Sequence, residues 1–240
     1  MSTACIVQAR MGSTRLPGKV LQPILGKPML WWVMHRLSRC RQFDQVVVAT
    51  TTSPLDDPLV RLCTHEHWSA FRGSEEDVLD RYHRAAKQFR ADHIVRITSD
   101  CPLIDPAVTD HVVASYFSAA PSPDYVSNTL QRTYPRGLDV EIFSLRSLEI
   151  AWREDNSTWR EHVTPFIYRH PERFVLRGVT NPVDFSHQRW TVDTPTDLDL
   201  AKAIYDHFGH GDFTWQQALQ AFGEHSEWGD LNRQVEQKTI

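Results

Sequence analysis

Three short apolar runs set the rhythm of the first half of this chain: Ala4-Cys5-Ile6-Val7, Gln45-Val46-Val47-Val48-Ala49-Thr50 and His93-Ile94-Val95-Arg96-Ile97-Thr98. Each is too short for a helix and rich in β-branched residues, so each predicts a buried strand. Between them the apolar period changes. Val78, Leu79, Tyr82, Ala85, Ala86 and Phe89 recur at helical spacing after the acidic start Glu75-Glu76-Asp77. Pro28 suits the first turn of a helix through Leu30, Met34 and Leu37, and Pro106 starts one carrying Val108, Val112 and Val113. Strands alternating with helices need crossover connections, which predicts an α/β fold: a mostly parallel sheet with helices on both faces.

Beyond Pro121-Ser122-Pro123 the pattern loosens. Leu138–Phe143 alternates as a strand would, with Asp139 and Glu141 on one face. Helical patterns follow around Leu145–Trp152 and Val163–Tyr168, a strand pattern over Phe174–Val179, and a strand over Gln188–Val192 that enters a turn and the helix Leu198–Phe208. No linker, repeat or low-complexity segment interrupts the chain, so residues 1–240 are expected to form one domain. Within it three parts are distinguished, residues 1 to about 120, about 121–190, and the strand and helices of about 188–240.

Composition changes this picture little. A 41% hydrophobic and 23% charged chain is that of a globular protein, and no run approaches the roughly 20 apolar residues of a membrane span. The N-terminal run is too short for a signal peptide, and Cys5, Cys40, Cys63 and Cys101 are scattered without a CxxC pair. A cytoplasmic protein with reduced thiols is expected. The net charge of −4 argues against a nucleic-acid partner, while 21 Arg against 5 Lys hints at carboxylate or phosphate recognition.

The most informative segment follows the first strand: Gln8-Ala9-Arg10-Met11-Gly12-Ser13-Thr14-Arg15-Leu16-Pro17-Gly18-Lys19. Glycines let backbone N–H groups approach phosphate oxygens, and Arg10, Arg15 and Lys19 supply the opposing charge. The loop reads as a triphosphate cradle. It is not a Walker A loop, because five residues separate Gly12 from Gly18 and Val20 follows Lys19 where a hydroxyl is needed. The dinucleotide fingerprint GxGxxG is absent as well.

A triphosphate calls for a divalent cation held by carboxylates at strand ends. Asp100, in Ile97-Thr98-Ser99-Asp100-Cys101-Pro102, and Asp193, in Trp190-Thr191-Val192-Asp193-Thr194-Pro195, both follow strand patterns and can converge although 93 residues apart. Asp105 and Asp197 read instead as helix-cap or first-turn acids.

These segments resemble the cytidylyltransferases that activate acidic sugars, the 3-deoxy-manno-octulosonate and acylneuraminate enzymes, and most of all the SpsF subgroup of spore coat polysaccharide biosynthesis proteins. The likeness spans residues 3 to about 205. It includes Arg72-Gly73-Ser74-Glu75-Glu76-Asp77-Val78-Leu79-Asp80-Arg81-Tyr82, Tyr134-Pro135-Arg136-Gly137-Leu138-Asp139-Val140-Glu141 and Arg160-Glu161-His162-Val163-Thr164-Pro165. The resemblance implies a three-layer αβα sandwich of the nucleotide-diphospho-sugar transferase type, usually a homodimer. It implies that Arg10, Arg15 and Lys19 hold the phosphates of CTP, that Gly12 and Ser13 offer backbone donors, that Asp100 and Asp193 bind Mg²⁺, and that Arg72 and Ser74 lie near the base. The sugar-binding motifs of the octulosonate and neuraminate enzymes are not evident.

The reaction so implied is in-line attack of an acceptor oxygen on the α-phosphorus of CTP with release of pyrophosphate, carried mostly by positioning and electrostatics. Arg136, Asp139, Glu141, Arg160, Glu161 and His162 form the candidate acceptor site, with the two arginines on an anionic group and His162 as proton acceptor. Two other classes remain open at this level: a glycosyltransferase of related fold, against which Asp100-Cys101-Pro102 lacks the Asp-x-Asp pattern, and a non-catalytic nucleotide-binding subunit, against which the chain keeps its whole cationic loop and both acids.

Overall fold

The computed structural model describes residues 1–237. Its strands are β1 (Thr3–Gln8), β2 (Pro23–Ile24), β3 (Lys27–Pro28), β4 (Gln45–Thr51), β5 (Ser69–Gly73), β6 (His93–Thr98), β7 (Tyr125–Ser127), β8 (Glu141–Ser144) and β9 (Leu176–Gly178). Strands β2 and β3 make a small antiparallel hairpin, and the other seven form one sheet in the order β5-β4-β1-β6-β8-β7-β9. All neighbours pair parallel except β6–β8 and β7–β8, so β8 alone runs against the rest. The helices are α1 (Met29–Leu37), α2 (Asp57–His65), α3 (Val78–Gln88), α4 (Pro106–Ser118), α5 (Leu145–Glu154), α6 (Pro165–Tyr168), α7 (Pro195–Phe208), α8 (Trp215–Glu224) and α9 (Trp228–Leu231). None of the described helices is long and apolar enough to cross a membrane.

The period of two along each strand sorts side chains into two cores. Cys5, Val7, Val48, Val95, Ile97, Val126 and Ile142 pack with α1, α2 and α4 on one face. Their sequence neighbours Ala4, Ile6, Ala49, Ile94, Tyr125 and Phe143 pack with α3, α5 and α6 on the other. This makes a three-layer αβα sandwich around a mostly parallel sheet. A third core joins Trp32 of α1 to Tyr134, Leu138, Trp190 and Val192 and to helices α7 to α9. Arg36 fastens it: its buried guanidinium donates to the carbonyls of Ile104 (2.5 Å), Gly211 (2.5 Å) and Phe213 (2.9 Å).

The loose second half departs from its apolar pattern in three places. Only Glu141 onward joins the sheet, because the side chain of Asn128 takes the place of a strand partner for the residues before it. Its Nδ2 donates to the Leu138 carbonyl (2.6 Å) and its Oδ1 accepts from the Val140 amide (2.9 Å). Residues 188–192 make no strand; they run extended, with a single bridge between Arg136 and Arg189, and the Val192 amide donates to the Asp100 carbonyl (2.8 Å). Gly137, at φ 102°, permits the bridge between Arg136 and Arg189, since a Cβ there would stand 2.8 Å from the Trp190 backbone. Finally, the helical pattern Val163–Tyr168 is broken at Val163, which separates a 3-10 turn (Thr158–His162) from α6.

Candidate active site

The chain leaves β1 for β4 and β5 on one side and returns to β6 on the other, so β1 and β6 flank the point where strand order reverses. Crevices outside the carboxyl ends of such strands are where open α/β sheets bind ligands. The cationic loop begins immediately after Gln8 of β1, and Ser99 and Asp100 follow Thr98 of β6.

Asp56 holds the loop in place. This buried carboxylate accepts from the Met11 amide (2.7 Å) through Oδ1 and, through Oδ2, from Thr50 Oγ1 (2.9 Å), Thr51 Oγ1 (2.5 Å) and the Thr51 amide (3.1 Å). Burial alone would raise its pKa; these donors outweigh it and hold the group below the usual aspartate value. The loop then closes on itself, the Met11 carbonyl accepting from the amides of Ser13 (2.9 Å) and Gly18 (3.0 Å). Gly18 adopts the left-handed conformation (φ 67°), which costs glycine nothing and turns the chain into the 3-10 turn that starts at Lys19.

The Lys19 ammonium lies between the two acids. It donates to Asp193 Oδ1 (2.9 Å), Asp100 Oδ2 (3.1 Å) and the Val192 carbonyl (2.8 Å). Burial would lower its pKa, but the two carboxylates more than compensate and raise it. Burial would raise both acids, and the Lys19 charge brings both below the ordinary aspartate value. Two further cations share Asp193 Oδ2: Arg15 (3.0 Å) and Arg189 (2.8 Å). Arg189 also grips Asp197, which caps α7 with Thr194 in a reciprocal capping box.

Arg15, Lys19, Asp100 and Asp193 line a cleft of about 300 Å³ with Gln8, Arg10, Gly12, Ser13, Thr14, Arg96, Thr98, Ser99, Glu161 and His162. Arg10 faces Glu161 across it (3.6 Å). A second cavity of about 350 Å³ adjoins, lined by Thr129, Leu130, Arg132, Asp139, Glu141, Thr164 and Tyr168, and Arg96 and His162 line both. Arg96 rises from the centre of β6 and pairs with Glu141, which also accepts from Tyr125 Oη (2.8 Å) and Thr164 Oγ1 (2.5 Å). Arg132 forks onto Asp139 with bonds of 2.5 and 2.7 Å.

His162 reaches the shared wall through an unusual turn. Val163 sits at φ 71°, ψ −55°, and the Thr164 amide donates to the His162 carbonyl (2.9 Å), which is a tight three-residue γ-turn. A β-branched residue with positive φ is strained by about 1–3 kcal/mol. The turn points His162 and Thr164 at the same wall. Burial, then the Arg96 charge working against Glu161, keeps the His162 pKa below the usual histidine value.

The structure therefore brings together Arg10, Gly12, Ser13, Arg15, Lys19, Asp100, Asp193 and His162, with Asp139 and Glu141 in the adjoining cavity. It places four other candidates elsewhere. Arg72 spends its guanidinium on the carbonyls of Thr51 (2.8 Å) and Ser53 (2.9 Å) and on Asp57 (2.8 Å), securing the turn after β4. Ser74 Oγ accepts from the Asp77 amide (3.0 Å) at the start of α3. Arg160 is bound to Asp77 (2.7 and 2.9 Å) and to the carbonyls of Trp152 (3.0 Å) and Asp155 (2.7 Å), so it fastens the 3-10 turn to α3 and α5. Arg136 lies in a surface depression beside Arg189. Arg96, Arg132, Arg189 and Asp56 carry none of the motif signals. Arg96 alone left a trace, as a charge inside an apolar strand pattern.

Comparison with known proteins bears on the fold and the family. Residues 4–224 match the family model described as cytidylyltransferase. The chain is 34% identical over 214 residues to the spore coat polysaccharide biosynthesis protein SpsF of Bacillus subtilis, covering 85% of this chain and 86% of that one. It is 38% identical over 125 residues to the 3-deoxy-manno-octulosonate cytidylyltransferase of Nitratidesulfovibrio vulgaris, about half of each chain (48% and 46%). A solved cytidylyltransferase from Leptospira borgpetersenii superposes with a TM-score of 0.91 at 33% identity, covering 100% of this chain and 99% of the other. With the model matched from the first strand to the eighth helix, the chain belongs to the cytidylyltransferase family.

Proposed function

We propose that this protein transfers CMP from CTP to a small anionic acceptor, an acidic sugar, and releases pyrophosphate. One observation carries this reading: the cationic loop and the acids Asp100 and Asp193 meet in one cleft that shares a wall with a second cavity of monosaccharide size. The names of two relatives supply the chemical class, a 3-deoxy-manno-octulosonate for the acceptor and a surface polysaccharide for the setting.

Arg10, Arg15 and Lys19 would take the triphosphate, with Gly12 and Ser13 donating from the backbone, and Arg15 and Lys19 would carry the charge of departing pyrophosphate. The acceptor would lie in the second cavity, its acidic group on the outer N–H groups of Arg96 and Arg132 and its hydroxyls on Asp139, Thr164 and Tyr168. Neutral His162, on the shared wall, would accept the proton of the attacking hydroxyl.

The carboxylate pair fits Mg²⁺, because a cation already sits there: the Lys19 ammonium is bound by three oxygens of Asp100, Asp193 and Val192. Magnesium typically takes one or two carboxylates and completes its shell with phosphates and water, so Asp100 and Asp193 suffice. When bound it would offset charge on the α-phosphate. The protein is expected to act as a homodimer, as the resemblance implies, and in the cytoplasm, as its scattered cysteines predict.

The test is pyrophosphate release measured with CTP, ATP, GTP and UTP against acidic sugars, neutral sugars and sugar phosphates. CTP with an acidic sugar should turn over fastest. Faster turnover with another nucleotide, or with a neutral sugar, would overturn the corresponding half of the reading.

A further inference from the structure

Lys19 performs two incompatible tasks in the reading above. It belongs on the triphosphate, yet its ammonium rests on the oxygens assigned to the divalent cation. Asp193 Oδ1 and Asp100 Oδ2 are both spent on Lys19, and Asp193 Oδ2 is shared by Arg15 and Arg189. Among the described residues no cation meets Asp100 Oδ1, whose neighbour is the Cys101 thiol (3.5 Å). The pocket is partly dry, with side-chain exposures of 12% for Lys19, 25% for Asp100 and 16% for Asp193, so charges there are weakly screened. One carboxylate oxygen can serve two cations, as Asp193 Oδ2 does, but an ammonium and a divalent cation cannot occupy the same position between Asp100 and Asp193. One must leave.

Lysine can leave, because its stem is flexible and its ammonium has no fixed geometry to satisfy. The attraction that would move it is a polyphosphate at the neighbouring loop, where Gly12, Ser13 and Arg15 line the same cleft. We propose that Lys19 occupies the cation position in the free enzyme and is drawn off by the triphosphate. The divalent cation and the triphosphate therefore bind as a coupled pair, and CMP, which lacks the β- and γ-phosphates, does not open the position. The coupling rests on the nucleotidyl-transfer reading, but it is measured without an acceptor and without turnover. It is reciprocal by thermodynamic necessity: whatever factor the triphosphate adds to cation affinity, the cation adds to triphosphate affinity.

The probe is Mn²⁺, followed by electron paramagnetic resonance of the free ion. Lys19→Gln, without nucleotide, should bind Mn²⁺ about ten- to hundredfold more tightly than the unmodified protein, the scale of one charge-assisted contact released in a partly buried site. The double variant Lys19→Gln/Asp100→Asn should lose that gain. An unchanged or weaker Mn²⁺ affinity in Lys19→Gln overturns the proposal, as does a gain that survives Asp100→Asn. If Lys19→Gln does not fold in chelator, the Asp100 carboxylate left without its lysine, beside an Asp193 still held by Arg15 and Arg189, should make folding depend on added Mg²⁺. Circular dichroism that stays unfolded at every Mg²⁺ concentration overturns the proposal too.

The nucleotide arm uses water-proton relaxation, which separates protein-bound Mn²⁺ from Mn²⁺ on free nucleotide. CTP should produce the bound signal with the unmodified protein and CMP should not; equal signals from both would defeat the exchange. Pyrophosphate assays fail separately: absent turnover with every acceptor would count against the functional reading and leave the Lys19→Gln result standing.

Discussion

The two cavities that meet at Arg96 and His162 are built in different ways. The cleft at the cationic loop takes most of its wall from two loops that continue adjacent parallel strands, so residues close in sequence are close in space. The neighbouring cavity draws on β6, the segment around Asn128 and Arg132, β8, and the γ-turn at Val163. Its arginines come with their own counter-ions, Arg96 with Glu141 and Arg132 with Asp139, whereas Arg10, Arg15 and Lys19 lean on acids across the cleft. On the proposed function, the first cavity is organised to exchange partners for a polyanion. The second is organised to hold its shape.

If that contrast is correct, the sharpest break comes in the cleft. Asp100→Asn and Asp193→Asn keep shape but remove a charge that a cation needs, and each should cut turnover by about 10³-fold or more, several kcal/mol of transition-state stabilisation. Initial rates at saturating CTP, with circular dichroism to confirm folding, would show it. Near-normal turnover in either variant removes that acid from the site.

The shared wall comes next. His162→Gln should lower turnover by about 10²-fold, the lower end of general-base contributions. Its pH dependence gives a second measure. A base must be neutral, so rate falls as pH drops through the His162 pKa; because burial lowers that pKa, the acid limb should lie below the ordinary histidine value of about 6.5. An acid limb above that value, or one that persists unchanged in His162→Gln, assigns the proton to another group.

The same contrast explains what could be read from the sequence. Strands β1, β4 and β6 and helices α3 and α4 were legible, because buried parallel strands are continuous apolar runs and their helices start with proline or acidic caps. The loop 8–19 was legible because its chemistry is contiguous. The acceptor side was not. A strand stood in for by the amide of Asn128, or a helix pattern cut by positive φ at Val163, leaves no periodic trace. Arg72 and Arg160 looked functional as charges in motifs, yet each is consumed by local carbonyls and a neighbouring aspartate. A guanidinium's partner is a property of the fold, and a motif records only its presence.

A smaller effect is expected from Glu141→Gln, which leaves Arg96 charged but removes its counter-ion. Arg96 should then shift, and acceptor KM should rise about tenfold while CTP affinity changes less than twofold. Kinetics with an acidic sugar and calorimetry with CTP separate the two. Equal losses would mean that the wall belongs to the cleft as much as to its neighbour.

The smallest catalytic effects should come from the two arginines that sequence motifs placed on the acceptor. Arg160 makes two bonds to Asp77 and one each to the carbonyls of Trp152 and Asp155, and no part of it lines either cavity. Arg160→Ala leaves these acceptors without their donor and should cost about 2 kcal/mol of stability, a fall in Tm of about 4–8 °C in a chain of this size. Acceptor KM should stay within twofold. Arg136 lies beside Arg189, and burial followed by the nearby Arg132 charge lowers its pKa, so its charge is unfavourable where it stands. Arg136→Ala should therefore leave stability within about 0.5 kcal/mol and kinetics unchanged. A tenfold rise in acceptor KM for either variant, with Tm unmoved, would put that guanidinium on the acceptor and extend the second cavity beyond the Arg96–Glu141 wall.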